Sequence, residues 1–333
     1  MSAIRLHPRR SVAALVALVA LTALAACSSA SGANSKKDGY TLRIGFISNT
    51  PTPAGPEGWA EHTGILGPGL KAAGVKAVKF IPFKNGPDLS AAISGGSLDL
   101  ATLGDTPALT AKAGGIGTRL VNQATVGQDT WLFTKKGGAT SLAALRGKTI
   151  ATQVGSYMYR YLVALLQQNG LAGQVKITHI YTTNAVAALQ SGGIAAYAAP
   201  AGQLTAVLQQ QGFPILDKAS ADHRDLLGTS VTVITNGALT AHPDLPAAWN
   251  AVRAKSIADL TANSDAYYAF AAKATGTTPD VVKGSIPVTN YKTEPFTPAG
   301  IALLQATDAF LAKNKLSKAV VDINGWKVPQ IQG

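Results

Sequence analysis

The sequence predicts an α/β fold with largely parallel sheets divided between two lobes, and three observations carry that prediction. Short apolar strands alternate with helical stretches from Tyr40 to Thr235, the order that builds parallel sheets covered by helices. A strand–turn–helix unit occurs twice. Ala91-Ala92-Ile93-Ser94-Gly95-Gly96 is echoed by Ala187-Ala188-Leu189-Gln190-Ser191-Gly192-Gly193, each followed by a short strand and a Pro-containing turn, at Thr106-Pro107 and Ala199-Pro200. Finally, roughly 300 residues beyond the N-terminal segment exceed what one hydrophobic core usually serves. Two facing lobes leave a cleft lined by sheet-edge loops and helix starts, the usual ligand position in open α/β sheets.

The elements follow in order. Tyr40 to Ile47 reads as a strand broken by the Asn49-Thr50-Pro51-Thr52-Pro53 loop, and Val75 to Phe83 as a second strand ending at Asn85-Gly86-Pro87. A helix from Asp88 to Ser94 leads to a Gly-Gly turn and the strand Leu98 to Leu103, which stops at Gly104. Thr106-Pro107 then opens a helix, with Asp105 or Thr106 as cap and Pro107 in its first turn. Such a corner is ordinary in α/β chains, but it also turns unpaired backbone N–H groups toward the sheet edge and favours an anion there without any basic side chain. Leu120 to Val126 and Trp131 to Thr134 are strands, Leu142 to Leu145 a short helix, and Lys148 to Thr152 a strand ending at Gly155-Ser156. Tyr157 to Gln168 is a helix closed by Asn169-Gly170. Lys176 to Tyr181 is a strand followed by a helix through Leu189; Val231 to Thr235 is the last clear strand, and helices dominate from Leu245.

The N-terminus is an export signal by composition. Arg5, Arg9 and Arg10 precede an apolar run from Val12 to Ala26, too short for a membrane span and shaped like a secretory signal. Leu24-Ala25-Ala26-Cys27 resembles a bacterial lipobox, and Cys27 is the only cysteine in the chain. Cys27 is therefore expected to be the lipidated first residue of the mature protein, with 1–26 as signal peptide and 27–39 as a small, polar tether. This places the body outside the cytoplasmic membrane, held at its surface. Removing residues 1–26 takes three Arg and no acid, so the formal charge falls from +12 to +9. The remaining Lys and Arg are scattered without a basic, aromatic-interleaved run, which argues against nucleic acid as a partner. A monomer is expected.

Four segments resemble the ABC-transporter substrate-binding proteins for aliphatic sulfonates, taurine and nitrate, a group whose fold also serves binders of thiamine-pyrimidine precursors. They are Gly95–Leu109, Leu142–Ala151, Val154-Gly155-Ser156 and Ala188–Gly193, and the likeness extends from about Tyr40 to Phe310. The resemblance implies a type II periplasmic-binding fold: two α/β lobes joined by a two-crossover hinge with a ligand cleft between them. The crossovers are expected near Phe133–Lys136 and Thr235–Gly237, giving domain I as 40–133 plus 237–333 and domain II as 134–236. The second repeat departs from the family pattern by carrying Ala196 where the first carries Asp99, so that acid is read as a structural turn partner.

The resemblance implies a solute-binding subunit that delivers its ligand to an ABC permease, with an anionic sulfonate as leading ligand and nitrate or a neutral pyrimidine precursor as alternatives. A surface sensor on the same fold is the non-transport alternative. Gly104, Asp105 and Thr106 are expected to hold an anionic head group from one lobe, and Gly155 and Ser156 from the other. Asn49, Thr50, Gln128 and Thr183 are further candidate contacts. Trp131 is read as a core residue or as cover for an organic tail; Arg160 faces the cleft or solvent.

Enzyme chemistry finds little support. Gly147-Lys148-Thr149 lacks the earlier glycine of a phosphate loop and enters a strand. Gly228-Thr229-Ser230 lacks the closing glycine of a nucleophile elbow. The five histidines are scattered with no second ligand at metal spacing. No cofactor, metal or catalytic residue is therefore expected.

Overall fold

The computed structural model describes residues 39–329. Cys27, the signal segment and almost all of the tether lie outside the described residues. Ten strands form two five-stranded sheets within one unit that begins at Tyr40. The strands are β1 (Tyr40–Ile47), β2 (Val75–Phe83), β3 (Leu100–Gly104), β4 (Thr118–Gln128), β5 (Thr130–Thr134), β6 (Thr149–Thr152), β7 (Lys176–His179), β8 (Ala196–Pro200), β9 (Ile215–Lys218) and β10 (Gly228–Thr235). The first sheet runs β2-β1-β3-β10-β4 and the second β7-β6-β8-β5-β9.

The two orders are the same pattern written twice. In each sheet the first three strands of a lobe pair in parallel, β2-β1-β3 and β7-β6-β8. The fourth place is then taken by a strand adjoining a passage between sheets, β10 or β5, and it runs antiparallel to both neighbours. The repeated Gly-Gly units lead into β3 and β8, which hold equivalent places. The sheets are thus mixed rather than largely parallel, because each lobe borrows one strand from chain that enters from the far side.

This borrowing also sets where the chain changes lobe. It passes to the second sheet at Asp129, between β4 and β5, and returns between Lys218 and Gly228. Both passages precede the positions expected from sequence. Trp131–Thr134 pairs with β8 in the second sheet, and Val231–Thr235 pairs with β3 in the first.

Period-two alternation puts an apolar layer on each face of each sheet. In the first sheet Leu42, Ile44, Leu100 and Val121 pack on one side with Trp249, while Ala101, Leu103, Leu120 and Val233 pack on the other with Trp326. In β8, Ala196 and Ala198 face the helix Tyr157–Gln168, and Tyr197 and Ala199 face the opposite layer with Leu189 and Leu208. A further cluster around Trp59, Leu260 and Tyr267 joins the first loop to the C-terminal helices. The helices Pro56–His62 and Leu66–Lys71 are not legible in the sequence, because their glycines and prolines mask the helical period. Gly58 is forced there, since a Cβ would stand 1.7 Å from the Pro53 carbonyl oxygen.

Asp99 is the structural partner expected. Its carboxylate accepts from the Arg43 backbone N–H at 2.8 Å and from the guanidinium at 2.7 and 3.0 Å, joining β1 to the turn before β3. Burial raises its pKa, but the hydrogen bonds and charge of Arg43 outweigh this and the net displacement is downward. A depressed carboxyl stabilises the fold above its unfolded value of about 4 and loses that contribution as pH falls through its folded value. Asp99→Asn should therefore lower the melting temperature at neutral pH and flatten its decline below pH about 4. Parallel pH–melting curves for the variant and the parent would refute the assignment.

Candidate functional site

The carboxyl ends of β1, β2 and β3 open onto a cavity of about 330 Å³ that the second lobe covers. Sequence chemistry explains the site's position: at each of these strand ends a small or turn-forming residue stops the ladder, namely Ser48, Asn85 and Gly104. Asn85 caps the helix Gly86–Ser94, accepting from the Asp88 N–H at 2.8 Å. Gly104 caps the helix Asp105–Ala113 through backbone conformation alone. From the second lobe come Gln153, Ser156, Tyr157, Met158, Pro200 and Ala201. Two helix starts, at Gly104 and Ser156, thus border one cavity, each with first-turn N–H groups that lack intrahelical acceptors.

Ser156 is the cap expected. Its hydroxyl accepts from the Tyr159 N–H at 3.3 Å and donates to the Gln153 carbonyl at 2.5 Å. Gly155 stands beside it at φ +82, the left-handed turn that lets the helix start here, and packs on Pro87 of the other lobe. Gln128 lies on the wall, and its Oε1 is buried without a protein partner.

The remaining candidates are placed otherwise. Asp105 and Thr106 stand behind the wall: Asp105 is fully buried and accepts from the Thr229 N–H at 2.9 Å, and the Thr106 hydroxyl donates to Asp105 at 2.9 Å. Together they tie the helix start to β10. The cap is Gly104, not Asp105 or Thr106. Asn49 and Thr50 line a neighbouring side cavity of about 210 Å³. Thr183 is exposed at a helix start and lines neither cavity.

Trp131 and Arg160 have roles at the hinge. The Trp131 indole donates to Asp129 at 2.6 Å, and the Lys218 ammonium sits 3.9 Å from its ring centre. Arg160 faces neither cleft nor solvent. It is buried and donates to the Leu226 and Leu227 carbonyls in the return passage, at 3.1 and 2.8 Å. Burial lowers its pKa, and the charges of Asp105 and Asp225 partly restore it.

Tyr157, which the sequence offers only as a stacking surface for a pyrimidine, stands on the wall with Gln153, Asn85, Ser230 and Tyr291, and those last four are not among the candidates drawn from sequence. Tyr157, Gln153 and Asn85 lie at the strand-end signal that found Gly104 and Ser156. Tyr291 comes from a C-terminal segment that gives no local signal. Burial and the charges of Asp105 and Asp129 hold the Tyr157 pKa far above its ordinary value, and burial pushes Tyr291 up to about 12. Both phenols are therefore neutral at physiological pH. Glu57 is the one carboxylate on the cavity wall, and it lies 3.6 Å from the buried Arg253 guanidinium. The site can offer amides, hydroxyls and apolar surface, but no basic side chain, to a small organic molecule.

Tyr157 also closes the cavity. A Cβ on Gly228 would stand 2.5 Å from its ring, and one on Gly104 3.7 Å away. Gly228→Ala should keep the ring from seating, at a cost of about 1–3 kcal/mol. A lower melting temperature and a larger radius of gyration in solution scattering are expected; an unchanged pair of values would remove Gly228 from the closure.

The model of a family described as NMT1/THI5 like matches residues 70–266, more than half of the chain. A protein of Escherichia coli (strain K12) named for binding aliphatic sulfonates is 26% identical over 276 residues, covering 77% of this chain and 81% of its own. The alkanesulfonate-binding protein SsuA from Xanthomonas axonopodis pv. citri, solved with MOPS bound, superposes with a TM-score of 0.71 at 22% identity, covering 86% of this chain and 97% of that one. The desulfurization enzyme DszB superposes with a TM-score of 0.67 at 18% identity, covering 88% and 97%. The fold is the two-lobed one of the periplasmic binding proteins, and it carries both binding proteins and an enzyme.

Proposed function

This chain belongs to the NMT1/THI5-like family, and from that premise we propose that it is the extracytoplasmic solute-binding subunit of an ABC importer, with an aliphatic sulfonate as its ligand. The observation that carries the reading is the cavity between the lobes, bordered by the helix starts at Gly104 and Ser156. Partial positive charge at both helix starts suits an anionic head group. The wall supplies no acid or base group suited to catalysis beyond Glu57, which is engaged with Arg253. The solute-binding relative supports transport rather than chemistry. The closed form then presents the ligand to the permease, and a lipid on Cys27 holds the protein at the membrane. No described helix is long and apolar enough to cross a membrane. The domain limits we assign follow the sheets: domain I comprises 40–128 and 228–329, and domain II comprises 130–218, with Asp129 and 219–227 as crossovers.

A second reading, a neutral aminopyrimidine, draws on one observation: no basic side chain lines the cavity while Gln128 Oε1 stands without a partner, ready to accept from a ligand N–H.

A thermal-shift panel of alkanesulfonates, taurine, nitrate, sulfate and an aminopyrimidine tests both readings, because a ligand that binds only the folded state raises the melting temperature. A shift with sulfonates is expected. A shift with the pyrimidine alone transfers the assignment to the second reading, and silence across the panel overturns both. Ser156→Ala should weaken sulfonate binding by about 1 kcal/mol through loss of the cap. Thr106→Ala should lower the melting temperature without changing the dissociation constant, since its hydroxyl serves Asp105. Equal loss of binding in both variants would place Thr106 on the ligand after all.

A further inference from the structure

The second lobe carries almost no negative charge. Between Asp129 and Asp217 the chain contains no Asp or Glu, while Lys135, Lys136, Arg146, Lys148, Arg160 and Lys176 fall in the same stretch. Arg160 is buried against the return passage. The other five are scattered along the sequence, and the fold gathers them at one end of the lobe. Lys135-Lys136 leave β5, Arg146 and Lys148 lead into β6, and Lys176 opens β7. Lys148 and Lys176 are neighbours, since the Lys176 N–H donates to the Lys148 carbonyl at 3.0 Å. The Lys135 N–H donates to the carbonyl of Ala195, just before β8, at 3.1 Å.

Both sheets turn the carboxyl ends of their parallel strands to the main cavity, so these cations crown the opposite, outer end of the second lobe. The strand order β7-β6-β8-β5 spreads them over three strand spacings, about 14 Å. Lys136, Arg146, Lys148 and Lys176 are exposed, and Lys135 is half-buried. Among the described residues none of the five is in an ion pair. Lys136 stands 5.6 Å from the Phe213 ring centre, a contact that leaves its charge uncompensated. The acids of this part of the chain, Asp129, Asp217, Asp222 and Asp225, lie at or beside the crossings. None of the five cations lines the main cavity or the side cavity. Point charges on long stems, mostly lysine, suit a broad and diffuse counter-charge rather than bidentate recognition of one group.

We propose that the outer end of the second lobe docks on an anionic phospholipid surface. This rests on the extracytoplasmic, membrane-held placement of the body, though not on the identity of the solute. β1 begins at the outer end of the first lobe, so a lipid on Cys27 holds the molecule from one end and the lysine face from the other, with the cavity between them. A lipid chain and a polybasic patch acting together attach a protein more firmly than either alone. Each Lys or Arg contributes only within a Debye length of the anionic surface, which is why their collection on one exposed face matters.

The test is co-sedimentation of the full chain carrying Cys27→Ser, which removes the acylation site, with two kinds of vesicle. One is phosphatidylglycerol and phosphatidylcholine in equal parts, and the other is phosphatidylcholine alone. Binding is expected to the first and not to the second, and it should fall as salt is raised from about 0.05 to 0.5 M. Lys148→Gln combined with Lys176→Gln should weaken partitioning about 25-fold, fivefold per cation, the factor that corresponds to ~1 kcal/mol per Lys near an anionic surface. Lys71→Gln combined with Lys76→Gln, exposed at the outer end of the first lobe, should leave it unchanged, and the melting temperature of each variant reports whether it has folded. Equal loss in the two double variants means that overall charge is read, and overturns the docking face. Equal binding to both kinds of vesicle overturns it as well. Binding of inorganic polyphosphate without binding to the mixed vesicles transfers the face to a soluble polyanion and overturns the membrane. Failure of the parent to incorporate labelled palmitate in its host, with docking retained, overturns the anchor on Cys27 and leaves the face standing.

Discussion

The carboxylate of Asp129 holds the hinge. Asp129 is the single residue between the last strand of one sheet and the first-used strand of the other, and both of its oxygens are engaged. Oδ1 accepts from the N–H groups of Thr130 and Ser220, each at 2.9 Å. Oδ2 accepts from the Trp131 indole at 2.6 Å and the Ser220 hydroxyl at 2.5 Å. Ser220 lies at the start of the return passage, so one side chain fixes the two crossings to each other. Arg160 completes the arrangement from the helix opposite by holding the Leu226 and Leu227 carbonyls. Arg160 and two of the groups that Asp129 holds, Thr130 and Trp131, belong to the second lobe. The crossings therefore ride with that lobe, and Gly127, at φ +86, and Gly228 flank the anchored stretch on the first-lobe side. A hinge needs such a division between a clamped segment and a few residues that absorb the rotation.

The same economy governs charge around the cavity. The buried Arg253 lies 3.6 Å from the half-buried Glu57, and its two terminal nitrogens donate to the Lys292 and Ala124 carbonyls. Burial lowers the Arg253 pKa, and the neighbouring Glu57 opposes that shift. What remains to polarise a ligand is the backbone. Helix starts supply partial charge at fixed positions and need no reorganisation when a ligand arrives.

How much of this could be read from sequence follows from the range of each signal. The corners at Gly104 and Ser156, the repeat that becomes β3 and β8, and the structural character of Asp99 are local, set by a few adjacent residues, and all were legible. The positions of the crossovers were not. Whether Trp131–Thr134 or Val231–Thr235 joins one sheet or the other depends on pairing with β8 or β3, and both strands are apolar enough to suit either sheet. Asp105 and Thr106 were read as facing outward because a helix start usually does so. The contacts that turn them inward come from Thr229 and Thr307, more than a hundred residues away. Tyr291 enters the wall from the far end of the chain, where nothing in its neighbours marks it.

Closure is weak in the direction that function requires. Among the described residues, the side-chain hydrogen bonds that run between the lobes away from the crossings come from three glutamines: Gln153 to the Lys84 carbonyl, Gln203 to the Gly276 carbonyl, and Gln167 to Asn314. Each is a neutral amide bond whose net contribution is about 1 kcal/mol, since water serves the same groups in the open form. Tyr157 adds packing against Gly104 and Gly228. Contacts of this size leave the open and closed forms within a few kcal/mol, where a ligand shifts the balance by its differential affinity alone. Only a molecule that touches both walls has such a differential. Residues from both lobes surround the main cavity and the side cavity alike, so the ligand itself supplies the contact that the protein's own interface leaves small.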